Sequence, residues 1–93
     1  MRQRAMLMVG PSMKPAMGYV NFVYGEATPG IVAVGDVVGF YRKGKFGASR
    51  ILHRVINIDG AGFIYIKGDN APEVDCVTLS KVFFRVERFR KIV

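Results

Sequence analysis

Short stretches rich in β-branched and aromatic residues, repeatedly interrupted by glycine, limit this chain to a fold built from strands. Val and Ile together number 20, Leu and Ala only 10, and Phe and Tyr add 11. Such side chains fit a pleated, half-buried surface and lose rotamer freedom in a helix. Eleven glycines are scattered along the chain, and no stretch has the length and period of a credible helix. The sequence therefore predicts a compact all-β domain.

The length of 93 residues corresponds to one domain, which we expect to span residues 1–93. Only one cysteine is present, Cys76, so an intramolecular disulfide framework and a cysteine-based zinc site are excluded. No apolar run approaches the roughly 18–20 residues that cross a bilayer. We therefore expect the chain as given to be soluble rather than an integral membrane protein.

Seven stretches have strand character, and turn-forming residues separate them. The clearest hairpin joins 50–58 to 63–67 across Asp59-Gly60-Ala61-Gly62. Residues 43–49 are predicted to form a flexible basic turn, and residues 68–75 a polar loop. The predicted strands cover residues 5–9, 19–24, 31–34, 37–42, 50–58, 63–67 and 82–89.

Four polar residues lie at junctions between the apolar stretches, and together they contain the parts of a hydrolytic site. Ser12 follows Gly10-Pro11, His53 is the only histidine, and Asp69 and Asp75 lie in one acidic loop. A serine hydroxyl needs a base, which an imidazole supplies near neutral pH, and a carboxylate can orient that imidazole. Each residue alone also has a plainer explanation as a turn serine, a packed histidine or loop-stabilising aspartates.

The order of four motifs resembles the conserved boxes of type I signal peptidases. Gly-Pro-Ser-Met-Lys-Pro at 10–15, Gly-Asp-Val-Val at 35–38, His-Arg-Val-Ile at 53–56 and Lys-Gly-Asp-Asn at 67–70 follow one another between Val9 and Val86. A histidine before Arg-Val resembles the archaeal and endoplasmic-reticulum branch. The bacterial and mitochondrial enzymes, like the LexA-type self-cleaving repressors of related fold, use a serine–lysine pair instead.

This resemblance implies a small β-barrel-like catalytic core and a serine endopeptidase without metal or cofactor. It matches Ser12 to the nucleophile, His53 to the general base and Asp75 to the aspartate that orients the histidine, with Asp69 as a second, supporting acid. Family members bind an extended polypeptide, such as a signal peptide, as an added strand and cut after small residues in an Ala-x-Ala pattern. We expect the substrate to contact Met8, Val9, Met13, Ile51 and Leu52.

Two departures from the family pattern bear on this expectation. Gly10 replaces a serine whose hydroxyl can serve the oxyanion hole, so the hole would rest mainly on the Ser12 N–H. Family enzymes also carry a membrane-spanning helix just before the serine box, whereas eleven residues precede Ser12 here. Either the native protein is soluble, or a membrane segment or membrane-anchored partner lies outside this chain.

Four of the five methionines lie near Ser12 in the sequence, at Met6, Met8, Met13 and Met17. They could form a rim that receives a hydrophobic substrate or contacts a membrane surface. The alternative, that they simply belong to the hydrophobic core, is equally compatible with the sequence.

Two alternative functions remain open. A formal charge of +7, with basic residues concentrated in 42–54 and 81–93, is typical of a small barrel that binds single-stranded nucleic acid. Nucleic acid is the weaker alternative because it leaves the ordered serine, histidine and aspartate motifs unexplained. The second alternative function is a soluble maturation or regulatory protease of the same fold. The aromatic residues interleaved with the basic ones are Phe40, Tyr41, Phe46, Phe83, Phe84 and Phe89.

Overall fold

A computed structural model describes residues 2–93 and confirms the all-β prediction. Seven strands form one antiparallel sheet, and the described residues contain no α-helix, only a single 3-10 turn at Leu79–Lys81. No helix in this part of the chain is long and apolar enough to cross a membrane. The strands are β1 (Arg2–Val9), β2 (Val20–Ala27), β3 (Val37–Gly44), β4 (Gly47–Ile58), β5 (Ile64–Lys67), β6 (Val74–Val77) and β7 (Val82–Lys91).

The order of strands across the sheet is β1-β2-β7-β3-β4-β5-β6. β7 is inserted between β2 and β3, so the first hairpin and the β3–β6 meander are joined by the last strand in sequence. β1 and β6 are the two edges. Because β5 pairs with β4 only from Arg54 onward, the first half of β4 is also unpaired on that side.

Three segment predictions were wrong. Residues 31–34 are not a strand, because Asp36 accepts the Ala33 N–H at 2.8 Å and donates its own N–H to the Ala33 carbonyl at 3.0 Å, which closes a turn. Only Lys45 and Phe46 remain in the predicted basic turn, because Gly44 pairs with Gly47 and both strands continue up to them. Asp75 belongs to β6 rather than to a polar loop.

The buried side chains form two clusters, and β4 contributes to both. One contains Val38, Phe40, Val55, Ile64, Ile66 and Val82, and the other Met13, Met17, Val23, Leu52 and Phe84. Successive residues of a strand face opposite sides of the sheet. His53 therefore faces away from Leu52 and lies on the same side as Val55, and its ring centroid is 6.3 Å from that of Phe40.

Candidate active site

The Ser12 loop connects β1 to β2 and is held in place by its methionines. Its base is closed by the Gly10 N–H, which donates to the Tyr19 carbonyl at 2.8 Å. Within the loop, the Lys14 N–H donates to the Pro11 carbonyl at 3.0 Å, so Ser12 occupies a central position of a tight turn. Met13 and Met17 are buried in the second cluster and anchor the loop to the sheet.

His53 lies in the middle of β4 and is only 4% exposed. Its Nε2 atom is 3.0 Å from the Ser12 Oγ, a hydrogen bond that joins residues 41 positions apart. Burial lowers the pKa of the imidazole below its ordinary value of 6.5, and the positive charge of Arg42 lowers it further. The ring is therefore neutral at pH 7 and has the protonation state that a general base requires.

The loop that follows β5 packs directly against the Ser12–His53 pair. A Cβ atom on Gly68 would lie 2.8 Å from the Ser12 carbonyl oxygen and 2.9 Å from His53 Nε2, so only glycine fits without a shift. The Asn70 N–H donates to the Ser12 carbonyl at 2.7 Å, and the Asn70 side chain donates to the Pro11 carbonyl at 3.2 Å. This loop fixes the serine main chain against the histidine ring.

Neither predicted aspartate is hydrogen-bonded to the histidine. Asp75 accepts two bonds from the Arg42 guanidinium, at 3.0 and 2.6 Å, and this contact raises the pKa of Arg42. Asp69 accepts two bonds from Arg54, at 2.9 and 3.0 Å. His53 Nδ1 is buried and has no hydrogen-bond partner. The structure thus brings the hydroxyl and the imidazole together and holds both carboxylates in separate ion pairs.

A cleft of about 250 Å³ runs between β1 and β4 and ends at Ser12. Both strands present unpaired edges here, since β1 pairs only with β2, and the first half of β4 only with β3. Of the predicted substrate contacts, Met8, Val9, Ile51 and Leu52 line the cleft; Met13 does not and lies fully buried beneath the serine loop. The Asp69 N–H donates to the Met13 Sδ at 3.5 Å, so Met13 links the serine loop to the loop that follows β5.

The Ser12 N–H is available as an oxyanion donor. Among the backbone–backbone hydrogen bonds of the loops and turns within residues 2–93, none is donated by this N–H. Gly10 carries no hydroxyl, so it cannot supply a second donor through its side chain. In the same part of the chain, no three His, Cys, Asp or Glu side chains are grouped in a way that could hold a metal ion.

Some of the basic and aromatic residues of the nucleic-acid alternative are engaged within the fold. Phe40 and Phe84 are buried in the core, where no base can stack on them. Arg42, Arg54 and Arg85 are held in ion pairs with carboxylates. Phe46 at the β3–β4 turn is 98% exposed and is the most accessible of the six aromatic rings.

Three residues of the site were not predicted from the sequence. Arg42 was counted only as part of a basic segment, although it binds Asp75. Gly68 and Asn70 belong to a quoted motif, but no spacing rule shows that they touch the serine loop. The motif itself was the one available signal, since a glycine followed by two polar residues often marks a loop that approaches another chain segment closely.

Comparison with protein-family models, with curated proteins and with solved structures found no match for this chain.

Proposed function

We propose that this protein is a serine endopeptidase of the signal peptidase type, in which Ser12 is the nucleophile and His53 the general base. One observation carries the proposal: the 3.0 Å hydrogen bond between Ser12 Oγ and His53 Nε2 at the end of a cleft between two unpaired strand edges. A hydroxyl within bonding reach of a neutral, buried imidazole has the geometry of an activated nucleophile.

The reaction would begin with the Ser12 oxygen attacking the carbonyl carbon of the scissile bond while its proton moves to His53 Nε2. The tetrahedral oxyanion would accept a hydrogen bond from the Ser12 N–H. His53 then gives the proton to the leaving amine as the C–N bond breaks, and water hydrolyses the acyl-enzyme by the same steps in reverse. Since a missing oxyanion donor typically costs about 100- to 1,000-fold in rate, we expect slow turnover.

The cleft supports an extended peptide as substrate. A strand placed between β1 and β4 could bond to both unpaired edges, which gives affinity through main-chain hydrogen bonds. The floor of the cleft is filled by side chains that also pack on the core, among them Met6, Met8, Leu52 and Phe83. Little depth remains for substrate side chains, and this favours the small residues of an Ala-x-Ala sequence.

The test is cleavage of a quenched fluorescent peptide that carries Ala-x-Ala before the scissile bond, with the products identified by mass spectrometry. Ser12→Ala and His53→Ala should each abolish cleavage, and Ser49→Ala, at an exposed position of β4, should leave it unchanged. An acylating inhibitor should label Ser12. Full activity in purified, folded Ser12→Ala protein would refute the proposal, and salt-dependent binding of an oligonucleotide by that variant would favour the nucleic-acid alternative.

A further inference from the structure

His53 Nδ1 is a buried polar atom without a partner, which is an unusual state for a side chain that is only 4% exposed. Buried polar atoms are nearly always hydrogen-bonded, because leaving one unpaired costs about 1–3 kcal/mol. With Nε2 accepting from the Ser12 hydroxyl, the neutral ring carries its hydrogen on Nδ1. When His53 takes the Ser12 proton, the ring gains a positive charge and the cost of an empty partner position at Nδ1 increases. An acceptor for Nδ1–H therefore matters most during the reaction.

Asp75 and Arg42 lie on the same side of the sheet as His53. Asp75 pairs with Ile66, which pairs with Val55, two residues along β4 from the histidine. Arg42 is two residues from Phe40, whose ring centroid is 6.3 Å from that of His53. Both charges act on the imidazole, since Arg42 lowers its pKa and Asp75 raises it.

Two other carboxylates also act on the His53 ring, but neither is placed as Asp75 is. Asp69, in the loop after β5, is bound to Arg54 through both oxygens. Glu73, just before β6, has a side chain that is 70% exposed and lies 3.4 Å from Arg42. The Asp75 side chain is 18% exposed, so it is the most buried of the three. If Asp75 left Arg42, the guanidinium would still have Glu73 as a partner.

We propose that Arg42 is a positioning residue that holds Asp75 away from His53, and that the site is completed when Asp75 exchanges the Arg42 guanidinium for His53 Nδ1. This inference rests on the proposed function for its meaning, but the exchange itself concerns three side chains and can be observed without any substrate. Arg42 limits the activity of the site, because while the His53 ring is neutral it binds the Asp75 carboxylate that would otherwise stabilise the imidazolium.

The test is an NMR titration of the His53 ring, which needs no assignment because the chain contains one histidine. In Arg42→Gln, we expect the imidazole to titrate at higher pH than in the wild type. We also expect a strongly deshielded Nδ1–H proton, the signature of a histidine bonded to a carboxylate. In the double variant Arg42→Gln/Asp75→Asn, both changes should disappear. Arg85→Gln is the matched control, since Arg85 is likewise half-buried and paired, with Glu26 at 2.8 Å, and should change neither signal.

The proposal is overturned if the deshielded proton is absent from folded Arg42→Gln protein. It is also overturned if Asp75→Asn lowers the His53 pKa equally in the wild-type and Arg42→Gln backgrounds, since Asp75 would then act only as a distant charge. Should the glutamine variant not fold, Arg42→Met keeps the aliphatic stem and carries the same expectations. These spectra are recorded without substrate, so they test the exchange even if the protein cleaves no peptide. Failure of the proposed function and failure of the exchange are therefore distinguishable.

Discussion

Replacing Gly68 with alanine would perturb the Ser12–His53 pair directly, because the added Cβ would contact both residues. The new Cβ would lie 2.9 Å from His53 Nε2 and 2.8 Å from the Ser12 carbonyl oxygen, whereas ordinary contact begins near 3.4 Å. Each group must therefore retreat by about 0.5 Å, and the 3.0 Å bond between Ser12 Oγ and His53 Nε2 would stretch to the limit of hydrogen bonding. A misplacement of about 1 Å costs on the order of 100-fold in rate, so we expect kcat/KM to fall by about 10- to 100-fold.

The measurement is kcat/KM on the Ala-x-Ala peptide together with thermal unfolding. Crowding in a packed site typically costs about 1–3 kcal/mol, so the midpoint of unfolding should also decrease. Gly60→Ala is the control, because no atom lies within 4 Å of its added Cβ. Wild-type kcat/KM in Gly68→Ala protein would show that the contact between this loop and the Ser12–His53 pair has no role in cleavage.

Three further predictions concern the histidine and the loop beside it. Because the pKa of His53 lies below 6.5, kcat/KM should rise through an apparent pKa below that value and be level at neutral pH; a profile still rising above about pH 9 would indicate a lysine base. The free energy of unfolding should decrease as the pH falls below 6.5, because the unfolded chain then binds a proton that buried His53 does not, and denaturant titrations at several pH values would measure this. Asn70→Ala removes only the side-chain bond to the Pro11 carbonyl and should cost about 0.5–1.5 kcal/mol in urea unfolding; no change would mean that this bond does not hold the loop.

The strands could be predicted from the sequence because the signal is local. β-branched and aromatic residues between turn-formers gave the hairpin of β4 and β5 and most of the other strands. The errors arose where contacts from outside the segment decide the outcome. The apolar residues at 31–34 look like a strand, but a single Asp36 side chain closes them into a turn. Asp75 looks like a loop residue until β5 supplies a partner strand for it.

The same distinction between local signals and contacts from distant segments applies to the candidate site. Ser12 and His53 could be singled out because their residue types are rare in this chain and their motifs occur in order. The partner of Asp75 could not be predicted, because nothing in the sequence says which of fourteen basic side chains reaches the one carboxylate of β6. Arg42 does so because β3 and β6, which are not neighbours in the sheet, place both side chains on the same side of the core.

A histidine that served only to pack β4 would not be expected to have the environment of His53. A structural histidine in the interior normally has partners for both nitrogens, and an apolar residue of similar volume would avoid the cost of desolvating them. His53 instead has one nitrogen on a serine hydroxyl at the end of a cleft and the other on nothing. Arrangements that reduce stability without a local benefit tend to mark functional positions, because there the fold tolerates a cost that chemistry requires. The unpaired nitrogen, as much as the hydrogen bond to Ser12, is therefore an argument for catalysis.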